Sequence, residues 1–317
     1  MRLMIRSLLV CVLVLSGCSR SQSGGAAKSA KGSAARSEER LVVMSPAIAV
    51  MLRDIGMEDS IVGKHAWDMV LSGSVPIVGS EEGIDYEALI RAEPTQIFFQ
   101  RSSAGVPAKL QSLAEEHGWV IRTVALDSLD DIAIGADDLF MQFVGVRERA
   151  PDEIDPTARF SETTMPSEAL ARAWADRGPI ADEVGRVLVL AGVDPPGAMG
   201  PGSFHYQLVV RLGAVPAITD GGMWQELDLE DIVRLNPDGI VLFSPRQRDA
   251  SDLFAPIESK QSDHSVLFGR IAELRISAVR NNRLAVIDDP LALVPGTNMG
   301  RVGEELGEIF ERWARQP

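Results

Sequence analysis

Cysteine is nearly absent: the 317 residues hold two, Cys11 and Cys18. Both stand near the N-terminus, so no disulfide staples the body of the chain, and its stability must come from packed apolar cores. Positive charge is scarce as well. Residues 1–40 carry seven Lys or Arg against two Glu, and this excess of five, in a chain of net charge −14, leaves −19 for the rest. So acidic a body suits no polyphosphate backbone, which argues against nucleic acid as a partner. The N-terminal apolar run, residues 8–15, falls far short of the ~20 residues that a bilayer-spanning helix needs. Catalytic signatures are missing too: there is no nucleophile elbow, no HExxH and no clustered spacing of metal ligands. "GPGS" at 200–203 lacks the lysine of a phosphate loop. These absences weigh against enzymes and favour a protein that binds.

What is present starts with a leader. "MRLMIRSLLVCVLVLSGCSR" places Arg2 and Arg6 before a short apolar run and then small residues, the layout of a secretory signal over 1–17. "LSGC", residues 15–18, resembles the lipobox of bacterial lipoproteins. That resemblance implies cleavage before Cys18 and acylation of its thiol, hence a lipid anchor, with Cys11 lost in the leader. Residues 19–40 are Ser, Gly, Ala and Lys without apolar periodicity, a flexible tether that as a coil spans about 25 Å. The expected location is the cell envelope, lipid-anchored and facing the periplasm or the exterior.

Within the body one stretch is written twice. "IDYEALIRAEP" at 84–94 and "LDLEDIVRLNP" at 227–237 share Asp85/Asp228, Glu87/Glu230, Arg91/Arg234 and Pro94/Pro237. A spacing of 143 residues is too long for a solenoid repeat of ~20–50, so it points to two similar lobes. Strand and helix patterns alternate in each. "RLVVMSP", "SIVGK", "VPIVG", "TQIFFQ" and "WVIRTVA" read as strands between helical segments; "RVLVLAG", "DGIVLFS" and "RLAVIDD" repeat the scheme after Arg186. The expected fold class is α/β, two Rossmann-like lobes with mostly parallel sheets at 41–147 and 186–317. A single connector at 148–185 carries Pro151, Pro156 and Pro166, so a helix is expected only from about 167 to 177.

The order of these pieces resembles the substrate-binding proteins of bacterial ABC importers for iron siderophores, haem and vitamin B12. The matching segments are "RLVVMSPAIAVMLRDIGMEDSIVG", "PIVGSEEGIDYEALIRAEPTQIFF", "GPGSFHYQLVVRLGA", "LDLEDIVRLNPDGIVLF" and "RLAVIDDPLALVPGTNMGRVGEELGEIF". The resemblance implies a cleft between two lobes, little hinge motion, and delivery of a metal-chelate ligand to a membrane permease by a monomer. It also implies that Glu87 and Glu230 dock to permease arginines. Read without the resemblance, the same glutamates complement the positive end of a helix dipole behind the N-caps Asp85 and Asp228. No cofactor is expected, although the ligand itself can contain iron or cobalt. The alternative on the same scaffold is an envelope sensor or scavenger without its own permease.

Ligands of parallel α/β lobes lie beyond the carboxyl ends of the strands. The residues that follow those ends are His65, Trp67, Arg101, Ser203, Phe204, His205 and Arg246, and Trp224 precedes the repeated helix. Trp67, Phe204 and Trp224 offer aromatic walls for a large flat ligand, and Arg101 and Arg246 offer forks for anionic groups. Other readings stay open: Ser203 stands where an N-cap belongs, and the arginines can simply be solvated. His65, His205 and Tyr206 carry groups able to ligate iron or cobalt, though isolated residues of this kind are as readily structural.

Overall fold

The computed structural model describes residues 39–145, 164–178, 180–246 and 265–316. The leader, Cys18, the tether, Pro151 and Pro156 lie outside the described residues. The first lobe runs β1 (Leu41–Val43), α1 (Pro46–Asp54), β2 (Ile61–His65), β3 (Ile77–Ser80), β4 (Gly83–Ile84), α2 (Tyr86–Ala92), β5 (Gln96–Gln100), α3 (Ala108–His117), β6 (Val120–Val124) and α4 (Leu129–Phe143). Its sheet has the order β4-β3-β2-β1-β5-β6, parallel except where β4 folds back on β3. Side-chain caps fix where helices begin: Asp85 accepts from the Ala88 N–H for α2, and Ser128 accepts from the Asp131 N–H for α4.

Two short connector helices follow, α5 (Pro166–Ala173) and α6 (Ile180–Val184). Pro166 occupies the first turn of α5, where a missing N–H costs nothing, so this proline starts the helix. The helix stops at Ala173, four residues before the expected Arg177, and beyond it Asp176 turns the chain by accepting from the Gly178 N–H at 2.8 Å, with Gly178 at φ +76°.

The second lobe continues with β7 (Arg186–Val193), β8 (Pro196–Met199), α7 (Phe204–Arg211), β9 (Val215–Pro216), β10 (Trp224–Glu226), α8 (Leu229–Leu235), β11 (Gly239–Phe243), α9 (Ser265–Phe268), α10 (Ser277–Arg280), β12 (Leu284–Ile287) and α11 (Met299–Ala314). The sheet order is β10-β8-β7-β11-β12, with β9 alongside the start of β7. The fold class is thus mixed α/β with two sheets rich in parallel strands, as the alternating patterns predict. The lobes correspond through β1–α1–β2 and β7–α7–β9, but the second carries an unforeseen antiparallel hairpin, β7–β8, that takes over the outer half of β7. The fully buried "GIVLF" of β11 marks the centre of that sheet, since a strand covered on both faces needs no polar alternation.

One apolar cluster contains residues of both lobes, among them Phe98 of β5, Leu129 of α4, Leu208 of α7, Phe243 of β11 and Ile287 of β12. Across the same junction the Leu129 N–H donates to Gln207 at 3.0 Å, Arg211 pairs with Asp130, and Thr297 donates to buried Asp54 at 2.6 Å. Among the described residues no helix is long and apolar enough to cross a membrane.

Candidate functional site

The carboxyl ends of β2, β5 and β11 carry or closely precede His65, Trp67, Arg101 and Arg246, whereas Ser203, Phe204 and His205 follow β8 and Trp224 opens β10. His65 is the last residue of β2 and half-buried; its Nδ1 accepts the Trp67 N–H at 3.2 Å. The two rings meet edge to face, centroids 6.1 Å apart. Asp68 closes the same turn by accepting from the Val70 and Leu71 N–H groups at 3.0 and 2.7 Å. Lys64 sits inside it, its ammonium donating to the Leu71 and Ser72 carbonyls with Asp68 at 3.9 Å. Burial pushes the Asp68 carboxyl above its ordinary range, with the Leu71 N–H and Lys64 opposing. This braced turn presents Trp67 to solvent with 60 % of its surface exposed.

Trp224 has an equally built seat in the second lobe. It pairs with Met199 across β8, yet its ring lies over Gly197, where an added Cβ would stand 2.2 Å from ring carbons. Only glycine leaves room there. Because β8 runs antiparallel to β7, that displacement leans the indole toward the β7–β8 turn and therefore toward the carboxyl end of β7. Trp224 remains 55 % exposed, with Met223 exposed beside it.

Both arginines have partners. Arg101, just after β5, donates to Asp127 at 3.0 Å, and both side chains are exposed. Arg246, after β11, is joined to Asp288 twice, by a side-chain ion pair and by its own N–H donating to the Asp288 carbonyl at 3.1 Å. Next to it Asp289 is fully buried, accepting from the Leu291 N–H and from Arg301. Glu305, one turn along α11 from Arg301, is pushed up to about 7, chiefly by burial and then by Asp288 and Asp289, with Arg301 opposing.

The remaining three predicted ligand residues cluster at the start of α7. Ser203 is buried, accepts from the Tyr206 N–H at 3.1 Å and donates to the Gly200 carbonyl at 2.9 Å, so it is the N-cap. His205 is placed in the core, its Nε2 2.7 Å from the Ala292 carbonyl and its ring against Phe204 and Phe243. Burial lowers its pKa to about 4, partly offset by that hydrogen bond, so the imidazole is neutral near pH 7. Phe204 and Tyr206 are half-buried. Among the described residues no group of three or more His, Cys, Asp or Glu is arranged to hold a metal ion. A surface depression of about 450 Å³ runs along α11 over Glu308, Glu311, Arg312, Arg315 and Gln316, and none of the eight predicted ligand residues lines it. Sequence reasoning passed over Asp127, Asp288 and Gly197. The "DD" at the end of "RLAVIDD" was the available signal for Asp288, since it too follows a strand.

Glu87 and Glu230 lie in the first turns of α2 and α8, helices that lead into topologically equivalent strands, β5 beside β1 and β11 beside β7. Both are exposed, the Glu87 side chain to 90 %, with Arg91 3.9 Å away. In α8 the corresponding Arg234 instead holds Asp231 at 2.7 Å.

No protein-family model and no curated protein matches the sequence. Solved structures do match in fold. The periplasmic vitamin B12 binding protein BtuF of Vibrio cholerae superposes with a TM-score of 0.60 at 16 % identity, covering 88 % of this chain and 98 % of that one. The periplasmic heme-binding protein RhuT of Roseiflexus sp. RS-1 gives 0.58 at 18 % identity over 87 % and 99 %. A possible iron-binding periplasmic solute-binding protein of Staphylococcus epidermidis gives 0.58 at 16 % over 86 % and 98 %. The chain therefore has the two-lobed fold of the periplasmic proteins that bind iron compounds, haem and vitamin B12.

Proposed function

We propose that the protein is the extracytoplasmic solute-binding component of an ABC importer, a lipid-anchored monomer that captures a metal chelate between its lobes and hands it to a membrane permease. The observation that carries this reading is the pair of exposed, rigidly seated tryptophans, one at the strand ends of each lobe. Solvent exposure of so much aromatic surface costs stability, and indole faces suit a large flat or macrocyclic ligand. The fold likeness supports the same class, since the neighbours' own names describe iron, haem and B12 binding. Glu87 and Glu230, displayed by equivalent helices, are the proposed docking pair. Cys18 is the proposed anchor.

The test is direct. Purified protein is incubated separately with haem, cobalamin and ferric siderophores and desalted, and its visible spectrum is recorded. Retention of one chromophore at about one equivalent, lost on Trp67→Ala plus Trp224→Ala, is the expected result; retention of none refutes the reading. In cells, Glu87→Ala plus Glu230→Ala should abolish uptake without altering binding, whereas unchanged uptake favours a sensor or scavenger. Cys18→Ser should move the protein from the membrane to the soluble fraction.

A further inference from the structure

The charges at the strand ends discriminate among ligands. Each predicted arginine already holds a carboxylate: Arg101 with Asp127 and Arg246 with Asp288. The Asp288 side chain is only 12 % exposed, and its backbone carbonyl accepts the Arg246 N–H, which holds the two residues side by side. Lys64, at the end of β2, is turned inward onto two carbonyls and Asp68. His205 is buried and held by the Ala292 carbonyl. The other charges at these ends are acidic and exposed: Glu81 and Glu82 directly after β3, and Asp194 at the β7–β8 turn. Among the described residues the rim thus presents carboxylates and pre-neutralised arginines, in a body of −19 that adds no long-range attraction for anions.

On the reading of the protein as a metal-chelate carrier, we propose that its ligand bears no net negative charge. It is a neutral or cationic chelate whose metal is already fully coordinated, held on the faces of Trp67 and Trp224 with hydrogen bonds to rim carboxylates. An anionic chelate would meet a carboxylate already seated in each arginine fork and would have to displace it or lie against it. A neutral or cationic one meets no such cost, and indole faces attract cations. Haem fits poorly because its propionates would meet Arg101 and Arg246, the arginines at these strand ends, each already holding a carboxylate.

Five probes test this by equilibrium binding, read through tryptophan quenching and chromophore retention. They are a neutral ferric trihydroxamate, a monocationic ferric trihydroxamate, cyanocobalamin, a trianionic ferric tricatecholate and haem. The wild type should retain at least one of the first three and bind the trianion at least tenfold more weakly. Asp127→Asn and Asp288→Asn should each raise affinity for the trianion by about tenfold, as a guanidinium is released to pair with it. Asp127 is on the surface, so its replacement does not endanger the fold. Tight retention of the trianion or of haem by the wild type overturns the inference while leaving the carrier reading intact, as does unchanged trianion affinity in both variants. Failure of all five probes instead overturns the carrier reading, and the charge preference with it.

Discussion

His205 and Glu305 show how a single side chain can couple folding to pH. A carbonyl only accepts, so Nε2 of His205 must carry the proton it gives to Ala292, and Nδ1 is left buried without a partner. With its pKa at about 4 in the folded state against ~6.5 unfolded, His205 contributes stability that is complete above pH 6.5 and lost as pH falls toward 4. Glu305 acts in the opposite sense. Its folded pKa of about 7 exceeds the unfolded ~4.3, so the folded state holds the proton longer, and its contribution, complete below pH ~4.3, is lost as pH rises through 7. Glutamine mimics the protonated acid. Glu305→Gln should therefore gain stability relative to wild type by roughly 1–3 kcal/mol between pH 4.5 and 7.5, after discounting for partial exposure. Urea unfolding of both proteins at the two pH values measures it; a difference that stays constant with pH refutes the assignment. None of this is visible in the sequence. Asp288, Asp289 and Glu305 are brought together only by the packing of α11 on β12.

At the scale of elements, the doubled stretch proves longer than its wording. Arg40, just before β1, donates to the Ala92 and Glu93 carbonyls at the end of α2, at 2.6 and 2.9 Å. Arg186, the first residue of β7, donates to the Leu235 and Asn236 carbonyls at the end of α8, at 2.7 and 3.2 Å. Each arginine satisfies carbonyls that a helix end leaves open, next to a left-handed cap, Glu93 at φ 44° and Asn236 at φ 42°. The same clamp thus fixes both glutamate-bearing helices. Arg40→Ala and Arg186→Ala should each cost roughly 1–3 kcal/mol in chemical denaturation, more than the surface change Arg91→Ala, expected within ~0.5 kcal/mol. Equal costs for all three would contradict a clamp. Local patterns made most elements legible: apolar runs of strand length, Asp85 and Asp228 as caps, and Pro94 and Pro237 as stops. The hairpin β7–β8 was not legible, because "GVDPPGAMGPG" reads as a turn-rich loop until β10 supplies a partner for β8. The site was legible to the extent that residues after strands could be named. Which of them face solvent was not, since exposed Trp224 and buried His205 differ only by what packs over them.

For the whole molecule, the junction between the lobes decides how it behaves as a unit. The shared apolar cluster joins residues of both sheets, and Trp174 of the connector is fully enclosed, its indole N–H donating to the Met299 carbonyl at 2.9 Å. The Thr297–Asp54 bond is buried and links residues 243 apart in sequence. Lobes welded in this way cannot close widely on a ligand without opening a core, so binding should rely on preformed surfaces such as the two tryptophan seats. Unfolding should then be one cooperative event. Tryptophan fluorescence, which samples Trp67 and Trp119 in the first lobe and Trp224 and Trp313 in the second, should follow the same urea transition as far-ultraviolet circular dichroism. Thr297→Val keeps the side-chain shape but removes the hydroxyl that Asp54 uses, and should lower stability by about 1–3 kcal/mol. Since the bond joins the lobes, both signals should shift together. Separate transitions, with the substitution moving only one, would show that the lobes fold independently and that the junction is a contact between two stable bodies.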